Sequence, residues 1–166
     1  MNSLIRLISL SLLAIALGAA PALAAGSDSS ESSDSGSGWS NSKSSNPDYA
    51  AARQHVEAER FEDAVPLLQK VVAKEPENAD AYNYLGFSLR KQEKFDEAMA
   101  AYQKALAIEP EHRGANEYLG ELYLQLGDLP KAEERLEVLD GACFFGCSEY
   151  RELKEAIASY KAKQSS

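Results

Sequence analysis

The chain has 166 residues, of which 26% are charged and 45% hydrophobic, and its net charge is -9. This is the composition of one soluble globular domain with accessories. The acidic balance argues against nucleic acid and against anionic lipid as partners, since both call for a basic surface.

Residues 1–24 read as a secretory signal. Arg6 supplies the positive amino-terminal region, and Leu7 to Ala20 is an apolar run interrupted by Ser9, Ser11 and Gly18. Pro21 ends it, and Ala22-Leu23-Ala24 offers the small residues that signal peptidase needs, so the expected cut follows Ala24. The run falls short of the ~20 residues that span a bilayer, so no stable membrane insertion is expected after cleavage. No Cys follows the cut, so a bacterial lipoprotein anchor is not expected. The Ala- and Leu-rich signal points to a bacterial envelope, with the chain periplasmic or secreted.

Residues 25–45 read as a disordered serine-rich linker. Eleven serines occupy positions 27–45, with Asp28, Glu31 and Asp34 among them. So little apolar surface cannot offset the entropy of ordering. The one large apolar residue is Trp39, either a stray aromatic or an anchor for a partner or for the protein's own surface.

A folded domain is expected over residues 46–163. Asn46 suits an N-cap and Pro47 the first helical position. A shift of 34 residues then superimposes the sequence on itself. Phe61 falls on Phe95, Ala64 on Ala98 and Ala132, Lys70 on Lys104, and Glu75-Pro76 on Glu109-Pro110. Ala81 falls on Ala115, and Leu85-Gly86 on Leu119-Gly120. The units run over about 45–78, 79–112 and 113–146. Each reads as two helices. In the central unit they are expected over Ala79–Gln92 and Phe95–Ile108, joined by the polar turn Lys91-Gln92-Glu93-Lys94. Glu109-Pro110 ends the pair, because proline disfavours helical geometry in the residue before it. Pro66 is expected early in its helix, where a missing N–H is tolerated. Gly86 and Gly120, with Ala98 and Ala132, let neighbouring helices approach, and such pairs must stack to bury their apolar faces.

Residues 149–162 suit a helix that closes the stack. Ser148 is the expected cap, Glu149 and Glu152 fall in the first turn, and Tyr150, Leu153, Ile157 and Tyr160 form one stripe. Between the third unit and this helix, Gly141 and Gly146 should break the chain around Cys143-Phe144-Phe145-Gly146-Cys147. Three readings compete for the cysteines. The favoured one is a local disulfide, in keeping with an oxidising compartment. The others are buried reduced thiols packed with Phe144 and Phe145, and a redox pair or soft-metal site. The spacing is not C-x-x-C, and only His55 and His112 remain to complete a zinc site. Both histidines read as surface residues.

A 34-residue helix–turn–helix period filled by Tyr82, Leu85, Gly86, Leu89, Ala98, Tyr102, Ala105 and Pro110 resembles the tetratricopeptide repeat. The flanking units keep Ala64, Leu68, Val71 and Pro76 before it, and Leu119, Gly120, Tyr123, Ala132, Leu136 and Leu139 after it. The resemblance implies an all-α, right-handed solenoid of three helix pairs plus a C-terminal capping helix. It also implies a concave groove lined by the first helix of each pair. The matching positions are Tyr49 and Arg53, then Asn83, Phe87 and Arg90, then Glu117, Glu121 and Leu124. The implied partner is an extended peptide or a helix of mixed charge. Tyr49, Arg53 and Phe87 stand where the family's carboxylate clamp needs Lys and Asn, so that specificity is not expected.

No catalytic constellation is present: no Gly-rich phosphate loop, no H-E-x-x-H, no nucleophile elbow and no haem attachment motif. The chain is therefore expected to be a non-enzymatic interaction scaffold, without cofactor or metal. The alternative is a thiol-redox or copper-handling accessory working through Cys143 and Cys147. The partner, the process and the oligomeric state are not written in the sequence.

Overall fold

The computed structural model describes residues 45–143 and 146–165. The expected signal, Trp39 with the rest of the linker up to residue 44, and Phe144 and Phe145 lie outside the described residues. Among those described, seven helices and no strand occur. They are α1 (Pro47–Glu57), α2 (Phe61–Lys74), α3 (Ala79–Lys91), α4 (Phe95–Ile108), α5 (Arg113–Gln125), α6 (Leu129–Ala142) and α7 (Ser148–Gln164). No helix among them is long and apolar enough to cross a membrane.

The helices pack as three pairs and a lid. Each helix lies on the next, α1 also touches α3, α3 touches α5, and α7 lies across both α5 and α6. The glycine and alanine positions explain the close approach. Ala64, Ala98 and Ala132 are fully buried. A Cβ on Gly86 would stand 2.7 Å from the Tyr102 ring, and one on Gly120 would stand 2.6 Å from a Leu153 methyl. Gly86 thus seats α4 against α3, and Gly120 seats the lid on α5. The core runs from Tyr49 through Leu68, Tyr84 and Tyr102 to Leu122. A second apolar cluster of Leu124, Ala132, Leu139, Leu153 and Ile157 holds the lid.

The caps follow the sequence in part. Asn46 accepts from the Asp48 N–H and Pro47 opens α1. Asn78 caps α3 through the Ala81 N–H at 2.9 Å. Glu75 binds both cap side chains, Asn46 at 2.6 Å and Asn78 at 2.8 Å, and so ties the first pair to the second. His112 is not a surface residue. It is 4% exposed and caps α5, with Nδ1 accepting from the Ala115 N–H at 3.1 Å. That leaves Nε2–H to donate to Asp80 at 3.0 Å, a link from the third pair to the second. His55 stands 3.6 Å from Asp63 in its own pair.

Three local expectations need correction. Cys147, not Ser148, caps α7: its sulfur accepts from the Tyr150 N–H, and Ser148 is the first helical residue. Gly141 does not break α6, which continues one residue further, to Ala142, with Cys143 as its C-cap; Gly146, whose φ is +77°, lies in the connector before α7. Pro66 is the sixth residue of α2, past the first turn, so it removes the hydrogen bond to the Glu62 carbonyl. Both residues are exposed, and water can take the vacant place. Cys143 and Cys147 stand at disulfide distance, with Cα atoms 5.6 Å apart.

The turn inside each pair is built the same way. In the central pair the Lys94 N–H reaches back to the Leu89 carbonyl and the Glu93 N–H to that of Arg90, both at 3.0 Å. The bonds Arg60 to His55 with Glu59 to Val56, and Asp128 to Tyr123 with Gly127 to Leu124, repeat the pattern. This is the Schellman closure, which needs a left-handed residue at its corner. Those corners are Glu59, Glu93 and Gly127, with φ of 55°, 60° and 83°. Two of the three therefore carry a side chain in a region that disfavours one. Glu93→Gly is expected to raise stability by about 0.5–1 kcal/mol, and Glu59→Gly likewise. Urea midpoints of the two variants against the parent chain check this.

Candidate functional site

The inner helices α1, α3 and α5 bring their equivalent faces together. On α3, Asn83, Phe87 and Arg90 lie one turn apart and share that face with Tyr84 and Lys91. Phe87 is its centre. The Phe87 ring stands 4.9 Å from that of Tyr118 on α5 and 5.8 Å from that of Phe61, the first residue of α2. Tyr49 on α1 meets Tyr84 edge to face at 5.7 Å. The result is an aromatic strip that crosses all three pairs.

Cations border the strip. The Arg90 guanidinium lies 5.6 Å from the Phe87 ring centre and 5.7 Å from that of Tyr118, and the Lys91 ammonium lies 5.2 Å from Phe87. Arg90 is 6% exposed and pairs with Glu121 at 2.7 Å. Arg53 stands 3.6 Å from Glu57 with its side chain 31% exposed. Near the pair turns, Glu59, Phe61, Glu62, Lys91, Gln92 and Lys94 line an open hollow of about 500 Å³.

The eight residues expected in the groove divide into three groups. Arg53, Phe87 and Glu121 are only partly buried, and Phe87 with Arg90 and Glu121 forms one contact set. Tyr49, Asn83, Arg90 and Glu117 lie on the inner helices but are 1–6% exposed, so they form the wall behind the surface. Leu124 belongs to the apolar cluster that holds α7, away from the strip. Tyr84, Tyr118, Phe61 and Lys91 complete the strip and were not anticipated. A signal for two of them existed. Tyr84 and Tyr118 recur at the 34-residue period, each next to an anticipated position, and one helical face takes in both neighbours.

Burial dominates the electrostatics. It raises the hydroxyls of Tyr84, Tyr102 and Tyr118 well above the usual phenol range. The guanidinium groups of Arg53 and Arg90 offset part of this at Tyr84 and Tyr102 respectively. Burial also pushes the Glu117 carboxyl up to about 10, helped by Glu152 on the lid and by Glu121 and Glu149. Glu117 is therefore uncharged near neutral pH. No group of three or more His, Cys, Asp or Glu suited to a metal ion occurs among the described residues.

Comparison with known proteins agrees with this architecture. Family models described as tetratricopeptide repeat match residues 49–109 and 89–157. A search of curated proteins gave no significant match. Among solved structures, the type III secretion translocator chaperone SycD of Yersinia enterocolitica superposes with a TM-score of 0.65 at 17% identity, covering 72% of this chain and 84% of that one. PcrH, solved with the chaperone-binding region of PopD, gives 0.61 at 19%, covering 71% and 89%. The TPR2B domain of yeast Sti1, solved in a pHsp70 complex, gives 0.63 at 19%, covering 71% and 99%. At such identities these likenesses speak for the fold alone. With the helix pairs, their small-residue contacts and the matched models together, the chain belongs to the tetratricopeptide repeat proteins.

Proposed function

We propose that this protein is a non-enzymatic interaction scaffold of the bacterial cell envelope, which holds a peptide or helix of a partner protein along its inner helices. The observation that carries the reading is the strip Phe61–Phe87–Tyr118 with Arg90 and Lys91 over its rings. Phe61 and Phe87 are the partly exposed rings of this strip, backed by the buried Tyr118 and Arg90, and an aromatic side chain at the centre of a surface is a usual energetic anchor of protein interfaces. Structural neighbours support it: SycD has been solved with a peptide of the translocator YopD, and PcrH with part of PopD. The envelope location rests on the signal read in residues 1–24.

The test is photocrosslinking in cells from a photoreactive phenylalanine at position 87, with position 103 on the exposed side of α4 as control. Adducts with another protein are expected from 87 and not from 103. Equal adducts from both, or none from 87, would overturn the reading. Once a partner is captured, Phe87→Ala is expected to weaken its binding by about 2 kcal/mol or more, roughly thirtyfold.

A further inference from the structure

We propose that the first occupant of the inner-helix groove is the protein's own linker, residues 34–44, with the Trp39 indole seated against Phe87 beneath Lys91. This builds on the groove just described, but it is tested without any partner.

Three observations carry it. The first is chemical fit. Trp39 is the only tryptophan in the chain and the only large apolar residue of the linker. Indole is the best of the natural rings for cation–π contact. The strip offers Phe87, which is partly buried, and the exposed Lys91, whose ammonium stands 5.2 Å from the Phe87 ring centre.

The second is reach. The linker enters the fold at Asn46, directly before α1. Trp39 precedes Ser45 by six residues, and extended chain covers about 3.3 Å per residue, roughly 20 Å in all. Pro47 is equivalent to Ala81 in the repeat, so Phe87 lies six helical residues further along, or about 9 Å. One interhelix spacing of about 8–10 Å separates α1 from α3. The diagonal is about 13 Å, well within reach.

The third is concentration. A tether of a few residues holds its end at millimolar effective concentration. An intrinsic affinity no better than millimolar already keeps the anchor in place about half the time. A partner peptide must then displace it, and its apparent affinity falls by the fraction of molecules left open. The linker would act as a built-in competitor.

Trp39 is its own reporter. The experiment records the emission and acrylamide quenching of the purified chain against N-acetyl-tryptophanamide in the same buffer. Leader processing does not matter, because Trp39 follows the expected cut. Blue-shifted emission and severalfold slower quenching are expected. Phe87→Ala and the surface change Lys91→Glu should both move them toward the free reference, with far-UV circular dichroism confirming that each variant is folded. Parent emission equal to the reference overturns the proposal. So does a blue shift that survives Lys91→Glu and a folded Phe87→Ala, since the indole then sits elsewhere. A shift that vanishes on dilution overturns it too, because the indole then sits on a second copy. Failure here leaves the crosslinking result at position 87 unaffected, so the two readings fail separately.

Discussion

Tyr102→Ala is expected to lower the stability of the repeat domain by about 3–5 kcal/mol, the range for losing a large buried ring. Tyr102 is fully buried, and its ring covers Gly86. That second contact makes a sharper test. Gly86→Ala alone brings a Cβ within 2.7 Å of two carbons of the Tyr102 ring, so the fully buried ring or its helix must shift. Overpacking of this kind costs about 1–3 kcal/mol, against about 1 kcal/mol gained from replacing glycine inside a helix. The net expectation is a loss of up to about 2 kcal/mol. In the Tyr102→Ala background the obstacle is gone, and Gly86→Ala should stabilise by about 1 kcal/mol. The two changes should thus be coupled by about 1–3 kcal/mol, measured by urea unfolding of the four proteins in the cycle. A coupling under about 0.5 kcal/mol would mean that a small shift of α4 absorbs the methyl group, and that Gly86 is not what sets the spacing.

The pair spacing was legible because it is written in residue size. Gly86 and Gly120 read as contact points from the sequence, and they are such points against Tyr102 and Leu153. Features that depend on a side chain playing an unusual part were not legible. His112 is an N-cap only as the tautomer that leaves Nδ1 unprotonated, a state fixed by Asp80 from another repeat. Cys147 caps with sulfur, where the adjacent Ser148 was the conventional choice. Glu59 and Glu93 hold left-handed corners that only the third repeat marks with glycine, at Gly127. Gly141 carries a helical penalty of about 1 kcal/mol, which the packing of the rest of α6 outweighs. The inner-helix faces were legible from the repeat, but the depth of each side chain on them was not. One helix face contains two adjacent positions per repeat: Asn83 and Glu117 lie beside Tyr84 and Tyr118, which make the aromatic contacts. Burial decided the remainder, since a position on the inner helix is not always a position at its surface.

Glu117 shows what that burial does, and it gives the largest pH effect expected in this protein. Its side chain is 1% exposed, and loss of water is the main reason its carboxyl is pushed up to about 10. Glu152 from α7 adds to this, followed by Glu121 on its own helix and Glu149 at the start of the lid. In the unfolded chain the same carboxyl loses its proton near 4.5. Between those values the folded protein holds one more proton than the unfolded chain. Stability therefore falls as pH rises, with a slope of about 1.4 kcal/mol per pH unit from this group. The contribution is whole below about 4.5 and is lost steadily up to about 10. From pH 5 to pH 8 the loss is about 4 kcal/mol. Glu117→Gln keeps the shape and the capacity to donate a hydrogen bond, but it cannot ionise. Its unfolding free energy should match the parent's near pH 5 and exceed it by a few kcal/mol at pH 8. Asp128, held low by Lys131, works in the opposite sense only as pH falls below the ordinary aspartate range, so it does not mask the window. Glu152→Gln separates the two causes. It removes the facing carboxylate but leaves the burial, so most of the slope should remain. Urea midpoints at pH 5 and pH 8 for the three proteins decide it. Parallel lines for parent and Glu117→Gln would mean that water reaches this carboxyl. A neutral Glu117 leaves Glu121, paired with Arg90 at 2.7 Å, as the partly exposed one of the two glutamates foreseen in the groove.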